Sequence, residues 1–214
     1  MQIFITGTDT DAGKTHVTTM LLEALKARGE NAAGFKPFCC GSRQDSYLLH
    51  HSSAEGLTVD EVNPVWLKTP ASPYAAALIE NRKLDFPALL EACEQLGTKV
   101  DHLLVEGVGG WEVPLAPNYT AADFAATLGF PVLLVVNNKL GALNHTLLTV
   151  KNILARGLHC IGIVLNYAAA ERDVSSISNR MILENMTTVP VIGEVMHGES
   201  DGADLLDAVL GGMV

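Results

Sequence analysis

The first chemistry legible in the chain lies in three consecutive residues, Gly13-Lys14-Thr15. They end a loop that opens at Gly7 and runs through Thr8, Asp9, Thr10, Asp11 and Ala12. An apolar run at residues 2–6 precedes the loop, and Val17, Met20, Leu21, Leu22 and Leu25 follow it at helical spacing. Strand, glycine-bounded loop, helix is an arrangement that binds anions. The loop's backbone N–H groups and the free N–H groups of the helix start converge on one point. The helix adds roughly half a positive charge there. At such a site Lys14 bridges the terminal phosphates of a nucleotide and the Thr15 hydroxyl ligates magnesium. Asp11, Ala12, Gly13 and His16 complete the expected nucleotide contacts of the loop. The usual pattern has four residues between its two glycines, whereas five separate Gly7 from Gly13 here, and Thr8 stands where a glycine is expected.

Other candidate residues fall at the ends of apolar runs. Lys36 closes the run 31–36, and Glu106 closes 102–106 ahead of the glycine-rich Gly107-Val108-Gly109-Gly110-Trp111. In an open parallel sheet the carboxyl ends of the strands share the ligand edge, which brings Lys36 near Lys14. An acid in the position of Glu106 holds magnesium, directly or through water, and glycines such as Gly109 let the backbone pass close to a ligand. Asp45, in Arg43-Gln44-Asp45-Ser46, reads either as a third magnesium ligand or as a helix cap. Residues 138–145 repeat the order strand, glycine turn, helix, and offer a second anion-binding helix start at Gly141-Ala142-Leu143-Asn144. His145, with no carboxylate or nucleophile near it in sequence, reads as a helix-start or core histidine and not as a catalyst. Asn166 ends the run 160–166, where an amide can read a base edge or simply turn the chain.

The elements that must position these groups alternate. Strands are expected at 2–6, 31–36, 102–106, 132–136, 160–166 and 191–193, and helices at 14–27, 46–51, 72–80, 86–96, 121–128, 143–156 and 173–185. Start signals support two of the helices: Asp85 with Pro87, and Thr120 with Asp123. This is the pattern of an α/β three-layer sandwich, a parallel sheet flanked by helices. At 214 residues and 48% hydrophobic content it reads as a single domain, 1–214. Residues 39–73 lack clear periodicity and are expected to loop over the ligand edge.

With 14 basic against 24 acidic side chains the formal charge is −10. Such a surface repels nucleic acid and anionic membranes, and no basic cluster offsets it. No run reaches the roughly 20 apolar residues of a membrane helix, and the start lacks the pattern of a signal peptide. Cys39, Cys40, Cys93 and Cys160 show no zinc-ligand spacing and are read as reduced thiols of a cytoplasmic protein.

In combination these stretches resemble the dethiobiotin synthetases, P-loop enzymes that close a cyclic urea on 7,8-diaminononanoate with carbon dioxide and ATP. The pieces are Gly7 to Thr15, Gly34-Phe35-Lys36-Pro37, Thr69-Pro70-Ala71-Ser72-Pro73, Val105 to Trp111, Lys139-Leu140-Gly141 with Asn144-His145, and Gly193-Glu194. They occur in the family's order from residue 2 to about 194. The resemblance implies that Lys14, Lys36 and Thr10 act at the reacting phosphate and carbamate, and that Thr15, Asp45 and Glu106 arrange magnesium. It implies that Asn166 reads adenine, and that Cys40 stands at the substrate where the family commonly has serine. It further implies a homodimer, in which Gly141, Leu143 and Asn144 of the neighbouring chain anchor the substrate carboxylate. The chain departs from the family at Val195-Met196, where a proline is usual near the nucleotide, and in its short tail 199–214. Two other readings share the phosphate loop. A partition or division-site ATPase switch would carry an extra lysine in the loop, and residues 7–13 contain none. A related ligase acting on another amine or acid would keep both lysines.

Overall fold

A computed structural model of the chain describes residues 1–171 and 173–213. In order, the elements are β1 (Gln2–Gly7), α1 (Lys14–Ala27), β2 (Ala32–Phe35), β3 (Phe38–Cys40), α2 (Gln44–Ser52), α3 (Val59–Val62), β4 (Val65–Leu67), α4 (Pro73–Ile79) and α5 (Phe86–Gly97). There follow β5 (His102–Glu106), β6 (Pro114–Ala116), β7 (Tyr119–Thr120), α6 (Ala121–Leu128), β8 (Val132–Asn137), α7 (Ala142–Ala155), β9 (Cys160–Asn166), α8 (Ser176–Met186), β10 (Val191–Val195) and α9 (Ala203–Gly211).

Six strands form one parallel sheet in the order β10-β9-β8-β1-β5-β2. These are the six strands the apolar runs predict. Central strands buried on both faces read as continuous apolar runs, and their side chains still alternate between the two cores. Ile3 and Ile5 of β1 pack with Val17, Leu21 and Leu25 of α1 and Leu206 of α9. Phe4, between them, lies in the core on the opposite side, which also takes Leu89, Phe124, Val150 and Leu183 from α5, α6, α7 and α8. Each such fully buried side chain contributes about 1.5–3 kcal/mol through apolar area removed from water.

The helix starts follow local chemistry. The Asp85 carboxylate accepts the Ala88 N–H at 3.1 Å, and Thr120 forms a reciprocal capping box with Asp123, as their spacing predicts. Gly129 then ends α6 in the left-handed conformation, φ 67°. Helix α8 begins at Ser176 rather than residue 173, because Asp173 spends its side chain on the turn before it, accepting the Ser175 N–H.

One expectation is corrected. Beyond the helix expected at 46–51, which is α2, residues 39–73 are not mere loop: β3 and β4 pair in parallel, and α3 lies with α2 between them. Elements of three and four residues are too short to display a period. The tail contains a helix, α9, whose Leu205, Leu206 and Val209 are buried against the α1 side of the sheet. Asp201 and the N-cap Gly202 precede it, and Gly202 is required by packing, since a Cβ there would meet the Met20 carbonyl oxygen at 2.5 Å. Among the described residues no helix is long and apolar enough to cross a membrane, and the four cysteines are free thiols.

Candidate active site

Four strand ends build the site. Strand β1 runs into the loop before α1, whose N-cap is Gly13 in the left-handed conformation, φ 94°. No side chain caps that helix, so its first N–H groups remain available to an anion. Gly13 is dictated by more than its φ, because a Cβ there would lie 2.0 Å from Asn166 Nδ2. The Asn166 amide, at the end of β9, donates to the Ala12 carbonyl at 3.0 Å and so braces the loop from below. Ala12 itself is fully buried.

Lys14 is buried, and its ammonium donates to the Asp9 carbonyl at 2.9 Å. Lys36, just past β2, is also buried and reaches two carboxylates: Asp45 Oδ2 at 2.9 Å and Glu106 Oε1 at 2.5 Å. The same Glu106 Oε1 accepts the Thr15 hydroxyl at 2.7 Å. Glu106, at the end of β5, is 0% exposed, and its second oxygen, Oε2, is buried with no hydrogen-bond partner. Asp45 lies one position inside α2, after the N-cap Arg43, and no side chain caps that helix. The structure therefore excludes the helix-cap reading of Asp45 and gives it to Lys36.

The two lysines differ in electrostatics. Burial pushes Lys14 down to about 8, a drop that neighbouring Lys36 deepens and Glu106 only partly opposes. Burial also disfavours the charged form of Lys36, but contact with Glu106 and Asp45 outweighs it and raises its pKa. Both are thus cations held out of water, one hydrogen-bonded to a backbone carbonyl and one clasped by carboxylates.

These groups surround a cleft of about 660 Å³. Its floor is Thr10, Asp11, Gly13, Lys14, Thr15 and His16 from the loop and α1, with Lys36 and Asp45 opposite. Cys39 and Cys40 of β3, with Pro70, Ala71 and Ser72 ahead of α4, form another wall. Burial pushes the Cys40 thiol up to about 11, so it faces the cleft as a neutral group. Val108, Gly109 and Val113 close the last side, with Gly109 at φ 59°. A second cavity of about 340 Å³ adjoins it, lined by Asn166, Tyr167, Ala168, Met196, His197 and Gly198. Gly13 and His16 line both cavities and join them.

Gly141, Leu143 and Asn144 are not part of this cleft. They lie at the start of α7, with Gly141 and Asn144 exposed and Leu143 half-buried, and Gly141 is an N-cap at φ 91° with no side-chain cap. Among the described helices only α1 and α7 start on a left-handed glycine. His145 lies in the first turn of α7 and is exposed, as a helix-start residue. Sequence reasoning missed Asp9, whose carbonyl holds Lys14, since a backbone acceptor carries no side-chain signal. It also missed Cys39, Val108, Val113, and the second cavity's Tyr167 and His197.

A model for the AAA domain family matches residues 1–200. Among curated proteins, the ATP-dependent dethiobiotin synthetase of Akkermansia muciniphila is 47% identical over 91% of this chain and 92% of its own length. That of Aquifex aeolicus is 41% identical over 98% of each chain, and that of Cellvibrio japonicus 39% over 96% and 97%. Among solved structures, the cell-division ATPase MinD of Pyrococcus furiosus superposes with a TM-score of 0.57 at 20% identity, covering 99% of this chain and 88% of that one. Cobyrinic acid a,c-diamide synthase of Mycobacterium smegmatis, with bound ADP and magnesium, superposes with a TM-score of 0.58 at 12% identity over 97% and 90%. The structural likenesses establish the P-loop fold alone.

Proposed function

The chain belongs to the ATP-dependent dethiobiotin synthetase family and is an ATP-dependent ligase, and on that premise we propose that its one domain, 1–214, closes dethiobiotin's cyclic urea. The substrates are 7,8-diaminononanoate, carbon dioxide and ATP. The observation that carries the proposal is the convergence of Lys14 and Lys36, two buried cations from different strand ends, on one cleft. That cleft continues past Gly13 and His16 into a second cavity. The pair of cavities fits a nucleotide's phosphates and base, with Asn166 at the base.

Each amine sheds a proton as it forms its C–N bond, but the phosphoryl step needs little acid–base help. One substrate amine adds to carbon dioxide and forms a carbamate. A carbamate oxygen attacks the γ-phosphorus and ADP departs. The second amine then attacks the carbamoyl carbon and expels phosphate, closing the ring. The nucleophile in the phosphoryl step is already anionic, so positioning and positive charge carry the catalysis. Lys14 spans the phosphates, with the uncapped start of α1 beneath them and Thr10 beside them. Lys36 neutralises charge at the carbamate and the transferred phosphoryl group. Cys40, a weak neutral donor, lies along the substrate wall.

The residues present fit magnesium. Glu106 Oε2 is a buried carboxylate oxygen without a partner, and Thr15 Oγ1 and Asp45 supply further hard oxygen ligands of the kind magnesium takes. Thr15, Asp45 and Glu106 would hold the ion, which when bound offsets phosphate charge. Gly141, Leu143 and Asn144 act from a second subunit, where the uncapped start of α7 receives the substrate carboxylate. The amines and the acid lie several methylenes apart, so one anion site cannot serve both ends. The protein works among small molecules in the cytoplasm.

Incubation with ATP, magnesium, bicarbonate and 7,8-diaminononanoate tests the proposal. Dethiobiotin and ADP should form in equal amounts, and Lys14→Ala should abolish both while unfolding as cooperatively as the parent. Failure of the parent protein to form product would overturn the assignment.

A further inference from the structure

Lys36 is held at both ends. Its ammonium lies against Asp45 and Glu106, and its backbone is fixed by the end of α3. The Lys36 N–H donates to the Val62 carbonyl at 2.7 Å. The Lys36 carbonyl, one residue past β2, accepts the side-chain amide of Asn63 at 2.7 Å. Asn63 is 0% exposed. Its Nδ2 also donates to the Val65 carbonyl at 3.1 Å, so both amide hydrogens are engaged, and its Oδ1 accepts Arg43 Nε at 3.0 Å. Arg43 Nη2 donates to the Asn63 carbonyl at 2.8 Å, and the guanidinium lies 5.6 Å from the centre of the Trp66 ring. Arg43 is the N-cap of α2, two residues before Asp45. The contacts close a circuit that runs from the Lys36 backbone through Asn63, Arg43 and Asp45 to the Lys36 ammonium.

We propose that Arg43 and Asn63 are positioning residues for the ring-closing reaction, locking α2 to the Lys36 backbone so that Asp45 and Lys36 meet in one geometry. This rests on the reaction read for the site. Both ends need the lock, because a lysine stem is flexible and the Asp45 side chain is half exposed. Neither positioning side chain lines the cleft, so each acts through the pair it holds. The Arg43 fork makes two bonds to one residue, a task that a lysine cannot reproduce. Its remaining contact, to Asp60 Oδ1 at 2.6 Å, lies on the surface.

The test compares the parent with Arg43→Lys, Asn63→Asp and Asp60→Asn. Three quantities are read for each: kcat, calorimetric ATP affinity without magnesium, and the gain in that affinity on adding magnesium. Arg43→Lys keeps a cation beside Asp60 and loses the fork. Its kcat should fall between about ten- and a hundredfold, as a small misplacement does, and its magnesium gain several-fold, with magnesium-free affinity within about twofold. Asn63→Asp keeps the acceptor for Arg43 but withdraws both donated hydrogens, and should show the same split. Asp60→Asn, outside the circuit, should keep kcat within about twofold. Arg43→Lys decides the matter alone if Asn63→Asp does not fold. A lower melting temperature in Arg43→Lys with parental kcat and magnesium gain would make the circuit a structural clip and overturn the proposal. Equal losses in kcat and magnesium-free affinity would overturn it too, by placing the effect on the phosphate loop. A parent that forms no dethiobiotin sinks the reaction reading beneath the proposal, whereas an active parent matched by Arg43→Lys sinks the positioning role alone.

Discussion

Lys36 concentrates the logic of the site at the scale of one side chain. It is buried in contact with Glu106 and Asp45, and an ammonium so placed is stable only because both carboxylates accompany it. Deleting it leaves the 0%-exposed Glu106 with only Thr15 as a partner, so Lys36→Ala should lower stability as well as activity. Its main effect belongs to the chemical step. Turnover should fall on the order of 10²–10³-fold, as when one fixed charge-stabilising donor is removed, while ATP affinity changes only a few-fold. Steady-state kinetics beside a direct nucleotide titration separates the two. Equal losses in both would make Lys36 another nucleotide ligand.

At the scale of elements, the region between β2 and α4 is made of very short pieces, and local hydrogen bonds hold them. Helix α3 has four residues and persists through a capping box between Thr58 and Glu61. Lys99 and then Thr58 hold the Glu61 carboxyl at about 2, below its ordinary value of 4.5. A depressed carboxyl contributes stability that is complete above 4.5 and is lost as pH falls toward 2. Glu61→Gln should therefore be less stable than the parent at pH 7, and the gap should shrink steadily between pH 4.5 and 2.5. Urea titrations across that range read it directly, and a gap independent of pH would refute it. The group is near the surface, so the effect is modest and salt-sensitive. Much of the wall that carries Cys40, Pro70 and Ser72 hangs on this region.

For the whole molecule, the question is the exposed start of α7. The ridge beside it carries the exposed apolar side chains Leu140 and Leu148, and Gly141 leaves the helix uncapped. A partner chain covering this face would bring the α7 start to the neighbouring cleft. Light scattering at assay concentration should then give a particle of two chains. Asn144→Asp should raise the KM for the diamine by about tenfold, through repulsion of its carboxylate, and leave the KM for ATP unchanged. A fully active monomer would refute the shared site.

The sequence by itself determined what depends on neighbours a few residues apart. The six strands follow from apolar runs, α1 and α6 from helical spacing with their start signals, and the phosphate loop from Gly13-Lys14-Thr15 between strand and helix. Asp85 and Thr120 announce their caps because a cap bonds within three residues. Tertiary structure decided what depends on strand order. Lys36 and Glu106, 70 positions apart, meet because β2 and β5 are paired neighbours in the sheet. Asp45, ambiguous beside its own helix, is resolved by the ammonium above it. Asn166 reaches Ala12 across 154 positions, and α9 is a helix because the α1 face needs Leu206 and Val209 to cover it. Local hydrogen bonds and side-chain period are written residue by residue, whereas the partner of a buried charge is fixed only when packing has chosen which strands lie side by side.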